Sequence, residues 1–594
     1  MGSTQNSQPH DLRTISFVSL GCPKNLVDSE KMLGLLASDG MIPVSAEGPP
    51  GDWEHDDAES VEGGRGAADA LAAPGARTAT ARGEGAALTP ATITPADVVV
   101  INTCGFLEAA KEESLAVIRE AVRAKQSGAV KRVVVAGCLV QRHRAKLLEW
   151  EPGIDAMVGV FDRDKVVEAV RGSPAARRES PDTPDAPRYW IAANALQAAR
   201  DRGLPTVGLT VAGKDGKGIG YFEDDRARLR LTPRHYAYLR ISEGCNQACA
   251  FCTIPGIRGK MRSKPVDAAE KELRELLADG AFEINLIGQD TTSFGDDIGA
   301  GWQDDPVART ETAGPRFQAS GGLPMLLERL DQAAAAAGSP CWLRLMYAYP
   351  TSFRDEFVDA FAEIASRGRL LPYIDMPLQH ASDRMLQLMR RNVTASAQLE
   401  LVRKLRDRIP GMALRTTFIT GFPGETEEDH ETLLAFVEEV AFDAVGVFEY
   451  SREEGTPAGT MERDPSLAVP PEVKRRRKSE LLELQRRIAF DQAAYLAEQF
   501  DLRNPADTGL RFDVLIDRSL QTEGPRAAGV GGRLHQGRCY FQAPSIDSVT
   551  YVRSRQALSP GELVRCVIVG SDGYDLVARP ADEVEKKVSL SLLR

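Results

Sequence analysis

Three runs of apolar residues near the start of the chain each end directly before a cysteine. They are ISFVSLG before Cys22, VVVINT before Cys104 and RVVVAG before Cys138. Each is followed by apolar positions at helical spacing, over 25–38, 106–126 and 140–149. Valine-rich strands that alternate with helices predict a parallel sheet covered on both faces. Ligands gather beyond the carboxyl ends of such strands, so we expect the three cysteines to converge there.

The middle of the chain, about 236–470, alternates six apolar strands with amphipathic helices. The strands are YAYLRIS, EINLIG, WLRLMY, PYIDM, LRTTFIT and AVGVFEY, and helical patterns between them include 267–279, 355–366 and 427–440. This alternation predicts a partial (β/α)6 barrel. Polar and glycine-rich sequences follow the strands, among them EGCNQACAFC, GQD, PLQH and GFPGE. Active sites of such barrels lie at that end of the strands, so we expect chemistry there.

The last part of the chain changes character. A helical pattern runs from about 473 to 500, with an apolar stripe formed by Leu481, Leu482, Leu484 and Ile488. Beyond it come five short strand-like runs separated by glycine and proline turns: FDVLID, YFQAP, SVTYV, LVRCVIVG and YDLVA. This pattern predicts a small antiparallel β-barrel.

Three segments show no sustained helical or strand period. They cover residues 45–95, 172–232 and 296–320 and are crowded with alanine, glycine, proline and acidic residues. We interpret all three as flexible insertions in an otherwise compact core.

Length and charge narrow the class of protein. A chain of 594 residues is too long for one ordinary domain, and its net charge of −12 argues against a general nucleic-acid binder. The sequence has neither an apolar run long enough to span a membrane nor the start of a signal peptide, which predicts a cytoplasmic protein. Nine cysteines, an odd number in a reducing compartment, make disulfides a poor explanation.

Cys245, Cys249 and Cys252 form the motif CxxxCxxC. Three thiolates are too few to close a structural zinc site, which needs four ligands. A cubane iron–sulfur cluster held by three thiolates leaves one iron open, and an open iron can chelate the amino and carboxylate groups of S-adenosylmethionine. The motif therefore predicts a 4Fe-4S cluster that cleaves this cofactor.

Cys22, Cys104 and Cys138 form a second candidate triad through their shared position after strands. Thiolates suit zinc or iron–sulfur clusters, and three ligands without an evident fourth favour a second open 4Fe-4S cluster. Three unrelated buried thiols are the alternative. Cys341, Cys539 and Cys566 lie in or beside strand-like runs, and we expect them to be small buried apolar residues.

Polar residues near the barrel strands are further candidates. Glu283 and Gln289, assigned to the second strand end, and Gln379, after the fourth, could bind S-adenosylmethionine or the substrate. Each could equally be a satisfied polar residue of a strand. His380 as a general base is a weaker candidate.

The combined motifs resemble those of the radical S-adenosylmethionine methylthiotransferases. The residues that carry the resemblance are CNQACAFC, SLGCPKNLVDSE, NTCGFLEAAKEES and AGCLVQR. DMPLQHASDRMLQLMRR, YSREEGTPA and QAPSIDSVTYV resemble the branch that modifies the twelfth protein of the small ribosomal subunit. Arg452 and His143 depart from residues frequent in the family, without touching a cluster ligand.

The resemblance implies three domains. They are an amino-terminal Rossmann-like cluster domain over 13–171 with an insertion at 45–95, a radical barrel over 232–487 with an insertion at 296–320, and a carboxy-terminal TRAM barrel over 488–580. Residues 172–231 form a linker in this scheme.

The resemblance also implies a mechanism. The cluster on Cys22, Cys104 and Cys138 holds a sulfur that one S-adenosylmethionine methylates. The cluster on Cys245, Cys249 and Cys252 cleaves a second molecule to a 5′-deoxyadenosyl radical. The radical takes a hydrogen from the β-carbon of an aspartate on the ribosomal protein, and the carbon accepts the methylthio group. Both sites must then face one shared cavity.

Other functions stay open at this point. An enzyme of the same chemistry could act on transfer RNA adenosine, a radical enzyme need not insert sulfur, and a cluster-stabilised ribosome-binding protein need not catalyse anything. Residues 507–579 carry nine Lys and Arg against eight Asp and Glu. A barrel that grips RNA phosphates would be basic, so near neutrality favours a protein substrate.

Overall fold

A computed structural model of the chain describes most of the sequence. The described residues are 12–44, 93–172, 177–178, 188–202, 222, 224–297, 321–338, 340–520 and 532–585. Most of the three predicted insertions lies outside these ranges.

The amino-terminal domain is a seven-stranded sheet in the order β2-β1-β3-β4-β5-β7-β6, parallel except for the β6–β7 pair. Its strands are β1 (Thr14–Ser19), β2 (Ile42–Val44), β3 (Ala96–Thr103), β4 (Val130–Gly137), β5 (Ala156–Val158), β6 (Arg177–Arg178) and β7 (Arg188–Trp190). Its helices are α1 (Pro23–Ser38), α2 (Glu108–Gln126), α3 (Cys138–His143), α4 (Lys146–Trp150), α5 (Val166–Arg171) and α6 (Ala195–Asp201). Buried apolar clusters cover both faces, which confirms the predicted doubly covered parallel sheet.

Two parts of this domain differ from the prediction. The helix expected over 140–149 is two short helices, because the chain turns at Arg144, whose φ is +51°. Residues 188–202, expected to belong to a linker, supply β7 and α6. Tyr189 and Trp190 point to opposite faces of β7 and pack against the two cores of the sheet, which holds this strand in place.

The central domain is an open half-barrel of six parallel strands in the order β15-β14-β13-β12-β11-β8. They are β8 (Tyr236–Arg240), β11 (Glu283–Ile287), β12 (Trp342–Leu345), β13 (Leu370–Asp375), β14 (Ala413–Thr420) and β15 (Ala444–Glu449), and a separate pair joins β9 (Ser242–Glu243) to β10 (Arg262–Ser263). The helices are α7 (Ile254–Arg258), α8 (Val266–Ala278), α9 (Gly322–Ala336), α10 (Asp355–Ser366), α11 (Asp383–Leu388), α12 (Ala395–Arg408), α13 (Glu427–Val440) and α14 (Pro457–Met461). All six predicted strands are present.

A single long helix, α15 (Pro471–Glu498), joins the half-barrel to the carboxy-terminal domain. Leu481 and Leu484 are buried in the core of the half-barrel, whereas Leu482 of the predicted stripe is 40% exposed. Ala493 is buried in the core of the last domain. The predicted boundary between 487 and 488 falls inside this helix. Both domains therefore pack against one continuous helix.

The carboxy-terminal domain is a closed five-stranded barrel in the order β16-β17-β18-β20-β19. Its elements are β16 (Arg511–Leu520), β17 (Arg533–Arg538), β18 (Thr550–Ser554), β19 (Leu563–Asp572), β20 (Asp575–Pro580) and α16 (Ala581–Glu585). The barrel is antiparallel except between β18 and β20. The second strand is the polar RLHQGR, not the predicted YFQAP. Tyr540 and Phe541 of that run lie in a turn and pack on neighbouring apolar side chains, which made the run look like a strand.

A buried network of charges joins the amino-terminal domain to the half-barrel. Arg240, with no exposed side chain, pairs with Asp28 of α1 at 2.7 Å and with Asp225 and Glu243 at 2.5 Å. Arg258 of α7 pairs with Asp28 at 3.0 Å and with Glu243 at 3.1 Å. Buried charges are tolerated only in such close pairs, so the network holds the two domains in one orientation.

Candidate active site between two cysteine triads

Cys22, Cys104 and Cys138 occupy equivalent places after three neighbouring parallel strands. β1, β3 and β4 lie side by side in the sheet. Cys22 caps the N-terminus of α1, Cys104 follows β3 directly, and Cys138 is the first residue of α3. All three line the same cavity. The structure therefore brings together three residues that are 116 positions apart at the extremes.

Close backbone contacts hold these three loops together. Gly21 has a φ of +90°, and a Cβ at this position would lie 2.8 Å from the Cβ of Cys104. A Cβ at Gly105 would lie 2.7 Å from the Cα of Leu139 and 3.1 Å from the carbonyl carbon of Cys138. Only glycine fits such approaches. The loops that carry the triad are thus in direct contact.

The thiols of this triad interact electrostatically. Burial, with a further contribution from the Cys22 sulfur, raises the pKa of Cys104 to about 11 and that of Cys138 to about 12. Thiols with such pKa values stay protonated near neutrality unless a cation replaces the proton. Three thiols that line one cavity fit a bound iron–sulfur cluster, whose irons supply that charge.

Cys245, Cys249 and Cys252 lie on the loop between β9 and α7, beyond the end of β8. Backbone N–H groups of Gln247 and Ile254 donate to the sulfurs of Cys245 and Cys252, each at 3.4 Å. Burial is the main cause that raises the pKa of both thiols to about 12. The guanidinium of Arg391 donates to the sulfur of Cys249 at 3.7 Å. Hydrogen bonds of this kind orient the sulfurs toward the cavity and stabilise negative charge on them.

The sequence GQD after β11 anchors this cysteine loop. The amide oxygen of Gln289 accepts from the backbone N–H of Gly244 at 2.7 Å, and its amide nitrogen donates to Glu243 at 3.1 Å. Asp290 accepts from the side chain of Gln247 at 2.9 Å. These bonds let Gln289 position the loop. The residue also borders the cavity, where it stays a candidate for cofactor or substrate binding.

Both triads open into one cavity of about 3910 Å³. The six cysteines line it together with residues from the ends of the barrel strands, α15 and the carboxy-terminal barrel. The shared cavity required by the implied mechanism is therefore present. Its volume exceeds that of an ordinary small-molecule pocket, which leaves room for cofactors and for part of a macromolecule.

Each triad offers three free thiols, the number that a cubane cluster with one open iron needs. In the described ranges, no group of three His, Cys, Asp or Glu side chains is close enough to hold one metal ion. In a cubane cluster each thiolate binds a different iron, so the sulfurs stand farther apart than around one ion. All nine cysteines are free, and Cys341, Cys539 and Cys566 are buried in apolar cores, as predicted.

The expectation that Glu283 ends a strand and binds a cofactor is wrong. Glu283 begins β11, at the end of the half-barrel opposite to the cysteine loop, and has no exposed surface. Its carboxylate pairs with Arg344 at 2.7 Å and with Arg538 of the carboxy-terminal barrel. Burial alone would raise the pKa of Glu283, but the two arginines outweigh it and hold that pKa below its usual value. Glu283 fastens the two domains together.

Replacing Glu283 with alanine is expected to lower the free energy of unfolding by about 3–5 kcal/mol, because it leaves two buried guanidinium groups without their carboxylate. Denaturant unfolding monitored by tryptophan fluorescence measures this loss. Glu439→Ala is the matched control, since its pair with Arg403 is half exposed on both sides and should contribute less than about 1 kcal/mol. Equal effects of the two substitutions would contradict the structural role of Glu283.

Gln379 and His380 follow β13. Gln379 lines the cavity with a φ of +74°, while its backbone pairs with β14, so its side chain stays a candidate for cofactor or substrate binding. His380 is fully buried: its Nδ1 accepts from the N–H groups of Ala381 and Ser382 at 2.9 and 3.0 Å. The proton must then lie on Nε2, which faces Glu425 at 3.4 Å. Both ring nitrogens thus face partners within the fold, and this histidine shapes the turn after β13.

Two functional features were missed by sequence reasoning. The first is Glu453 in the sequence SREEGT after β15, which is 1% exposed. It pairs with Arg142 at 2.8 Å and accepts from the N–H of Glu108 at 3.1 Å. Arg142 in turn donates to the carbonyl of Gly105 at 2.8 Å. Through these contacts the half-barrel binds the segments that follow Cys104 and Cys138. The conspicuous motif YSREEGTPA was the available signal.

The second feature is Lys24, two residues after Cys22. Its ammonium lies 3.3 Å from the centroid of the Tyr347 ring, and both residues line the cavity. Tyr347 follows β12 with a φ of +61°, an uncommon conformation for a bulky residue. Burial lowers the pKa of Lys24. This pair joins α1 of the amino-terminal domain to the end of β12 in the half-barrel, at the cavity.

The parallel half-barrel with three cysteines on the loop after its first strand defines the class of radical S-adenosylmethionine proteins. Three families match the chain accordingly. "Radical SAM superfamily" covers residues 239–437, "Uncharacterized protein family UPF0004" covers 78–159, and "TRAM domain" covers 508–580. The first match supports an iron–sulfur cluster and S-adenosylmethionine as cofactors.

Curated relatives narrow this class. The chain is 35% identical to the ribosomal protein uS12 methylthiotransferase RimO of Symbiobacterium thermophilum, over 96% of this chain and 91% of the relative. It is 33% identical to the protein of the same name from Desulforamulus reducens, over 96% and 99% of the two chains, and 34% identical to that from Geobacter sulfurreducens, over 95% and 97%. The chain belongs to this family, and it is a radical S-adenosylmethionine methylthiotransferase.

A solved structure also shows a distant likeness. The radical S-adenosylmethionine methyltransferase TsrM from Kitasatospora setae matches with a TM-score of 0.46 and 13% identity, over 75% of this chain and 77% of the other.

Within the described ranges, every helix is too short or too polar to span a bilayer.

Proposed function

We propose that this enzyme replaces one hydrogen on the β-carbon of an aspartate in ribosomal protein uS12 with a methylthio group, in the cytoplasm. One observation carries the proposal: Cys22, Cys104 and Cys138 face Cys245, Cys249 and Cys252 across a single cavity. A radical enzyme without sulfur insertion would leave the first triad unused. The curated relatives carry the same activity in their names.

We assign one 4Fe-4S cluster to each triad, with S-adenosylmethionine at the triad of Cys245, Cys249 and Cys252. When bound, these groups supply a methylated sulfur and a radical able to take hydrogen from an unactivated carbon. Such a carbon offers no acidic proton, so acid–base catalysis would not serve. What the chain itself must contribute is position and exclusion of water.

The buried charges around the triads perform that positioning. Arg258 follows the cysteine loop in α7, yet its guanidinium contacts Asp28 and Asn25 of α1, directly behind Cys22. Glu453 grips the loops beyond the other two cysteines of the first triad. The distance between the two sites is thereby set by contacts that are fixed before any substrate binds.

The mouth of the cavity suits a protein substrate. Large apolar side chains of the half-barrel, α15 and the carboxy-terminal barrel are exposed there: Phe448, Leu482, Tyr495 and Tyr574. Contiguous exposed apolar groups mark protein interaction sites. The near-neutral carboxy-terminal barrel gives no comparable support for RNA binding.

Reconstituted enzyme tests this function in vitro. The purified chain, loaded with iron and sulfide, is mixed with S-adenosylmethionine, a reductant and uS12 that carries deuterium on the β-carbon of its aspartates. We expect one aspartate to gain a methylthio group and deuterium to appear in deoxyadenosine. Transfer of the group to RNA, or deoxyadenosine without deuterium beside a modified protein, would contradict the proposal.

A further inference from the structure

Lys24 brings an ammonium group to the cavity without a described ion pair or hydrogen bond. The residue is 7% exposed and lines the cavity. Its one described partner is the ring of Tyr347, at 3.3 Å. In the part of the chain that the structure describes, its ammonium makes neither an ion pair nor a hydrogen bond.

The nearby carboxylates are already committed to other cations. Asp375, at the end of β13, pairs with Arg415 at 2.9 Å. Glu243 pairs with Arg240 and Arg258 at 2.5 and 3.1 Å. Both carboxylates, like the Cys22 sulfur, favour the charged form of Lys24 without pairing with it directly. A buried ammonium without a direct anionic partner is costly, and an aromatic ring offsets only part of that cost. Such a group is expected where a ligand brings the missing negative charge.

The substrate chemistry of the proposed function supplies that charge. In an aspartate, the carboxylate is bonded directly to the β-carbon that reacts. A carboxylate bound to Lys24 would hold this carbon next to the triad of Cys22, and Tyr347 would limit its position from the barrel side. An asparagine at the same place could not form the ion pair and would leave the ammonium buried and unpaired.

We propose that Lys24 binds the side-chain carboxylate of the substrate aspartate and selects aspartate over uncharged side chains. The inference rests on the proposed function and adds a specificity-determining residue to it. The carboxylate of S-adenosylmethionine is the other anion that enters the cavity, and the experiment separates the two.

The test is a double-mutant cycle between enzyme and substrate. Reconstituted enzyme without reductant is titrated with uS12 and with uS12 whose target aspartate is changed to asparagine. Wild-type enzyme should bind the aspartate form about 30-fold more tightly, the coupling expected of a close buried charge pair. Lys24→Met should reduce this preference to less than about threefold, and Lys24→Arg should restore part of it.

Lys31→Met is the matched control. Lys31 lies in the same helix, but its ammonium donates to the carbonyl of Arg226 at 2.7 Å. It should keep the wild-type preference. Deoxyadenosine formation without uS12 should be unchanged in Lys31→Met. In Lys24→Met it should fall by less than the preference for aspartate, because the cofactor has its own site.

The outcomes separate this inference from the proposed function. If wild-type enzyme methylthiolates uS12 but Lys24→Met retains the preference for aspartate, the assignment of Lys24 alone is wrong. The same holds if cofactor cleavage without uS12 falls as far as substrate binding, since Lys24 would then serve S-adenosylmethionine. If wild-type enzyme leaves uS12 unmodified, the proposed function fails and the inference fails with it.

Discussion

Replacing Cys245 with alanine is expected to abolish cleavage of S-adenosylmethionine. In the proposed function, the three thiols of this loop hold the cluster that contacts the cofactor, and two of them are oriented by backbone N–H groups. Two thiols cannot hold a cubane that needs three. Deoxyadenosine release in the presence of a reductant, followed by chromatography, measures the effect, and bound iron should fall from about eight to about four atoms per chain.

Cys341→Ala is the control for this substitution. Cys341 is also a half-barrel cysteine, but it is 3% exposed within the apolar core and does not line the cavity. The control should lose some stability and retain deoxyadenosine release. Cleavage at the wild-type rate in Cys245→Ala would show that the cofactor site is elsewhere.

Replacing Cys104 with alanine should stop sulfur insertion while some deoxyadenosine is still released. Cys104 belongs to the triad on the amino-terminal sheet, and the loop of Cys245 does not depend on it for its hydrogen bonds. The radical should then form without a sulfur to deliver. Mass spectrometry of uS12 and chromatography of deoxyadenosine, run on the same reaction, give the two readouts.

The difference between the two cysteine variants distinguishes the roles of the two triads. Cys104→Ala should keep the iron of one cluster and release deoxyadenosine without methylthiolating uS12. Cys245→Ala should give neither deoxyadenosine nor methylthiolated uS12. Cys539→Ala, buried in the carboxy-terminal barrel, controls for the loss of any thiol. Normal methylthiolation by Cys104→Ala would mean that the first triad does not hold a cluster.

The placement of both cysteine triads could be predicted from the sequence because apolar runs mark where the strands end. The apolar runs before Cys22, Cys104 and Cys138 are local signals, and parallel pairing then brings their ends together. CxxxCxxC is likewise contained in eight residues. The same reasoning located all six strands of the half-barrel, although it gave β17 to the apolar YFQAP in place of the polar RLHQGR.

The remaining features depend on partners that are distant in sequence. Glu283 resembles a functional carboxylate until its contact with Arg538, 255 residues away, is known. The hydrogen bond between Gln289 and the backbone of Gly244, 45 residues away, likewise has no local signal in the sequence. Lys24 has no direct ion-pair partner among the described residues because the nearby carboxylates of Asp375 and Glu243 pair with arginines from other strands and helices. No local pattern encodes such competition.

Mass spectrometry of uS12 from cells with and without this gene is the most direct test of the central claim. With the gene, we predict one aspartate peptide whose mass is increased by a methylthio group in place of one hydrogen. Without it, the same peptide should carry only the unmodified aspartate, and a plasmid copy of the gene should restore the modification where a Cys245→Ala copy does not. An aspartate peptide of identical mass in both strains would contradict the account.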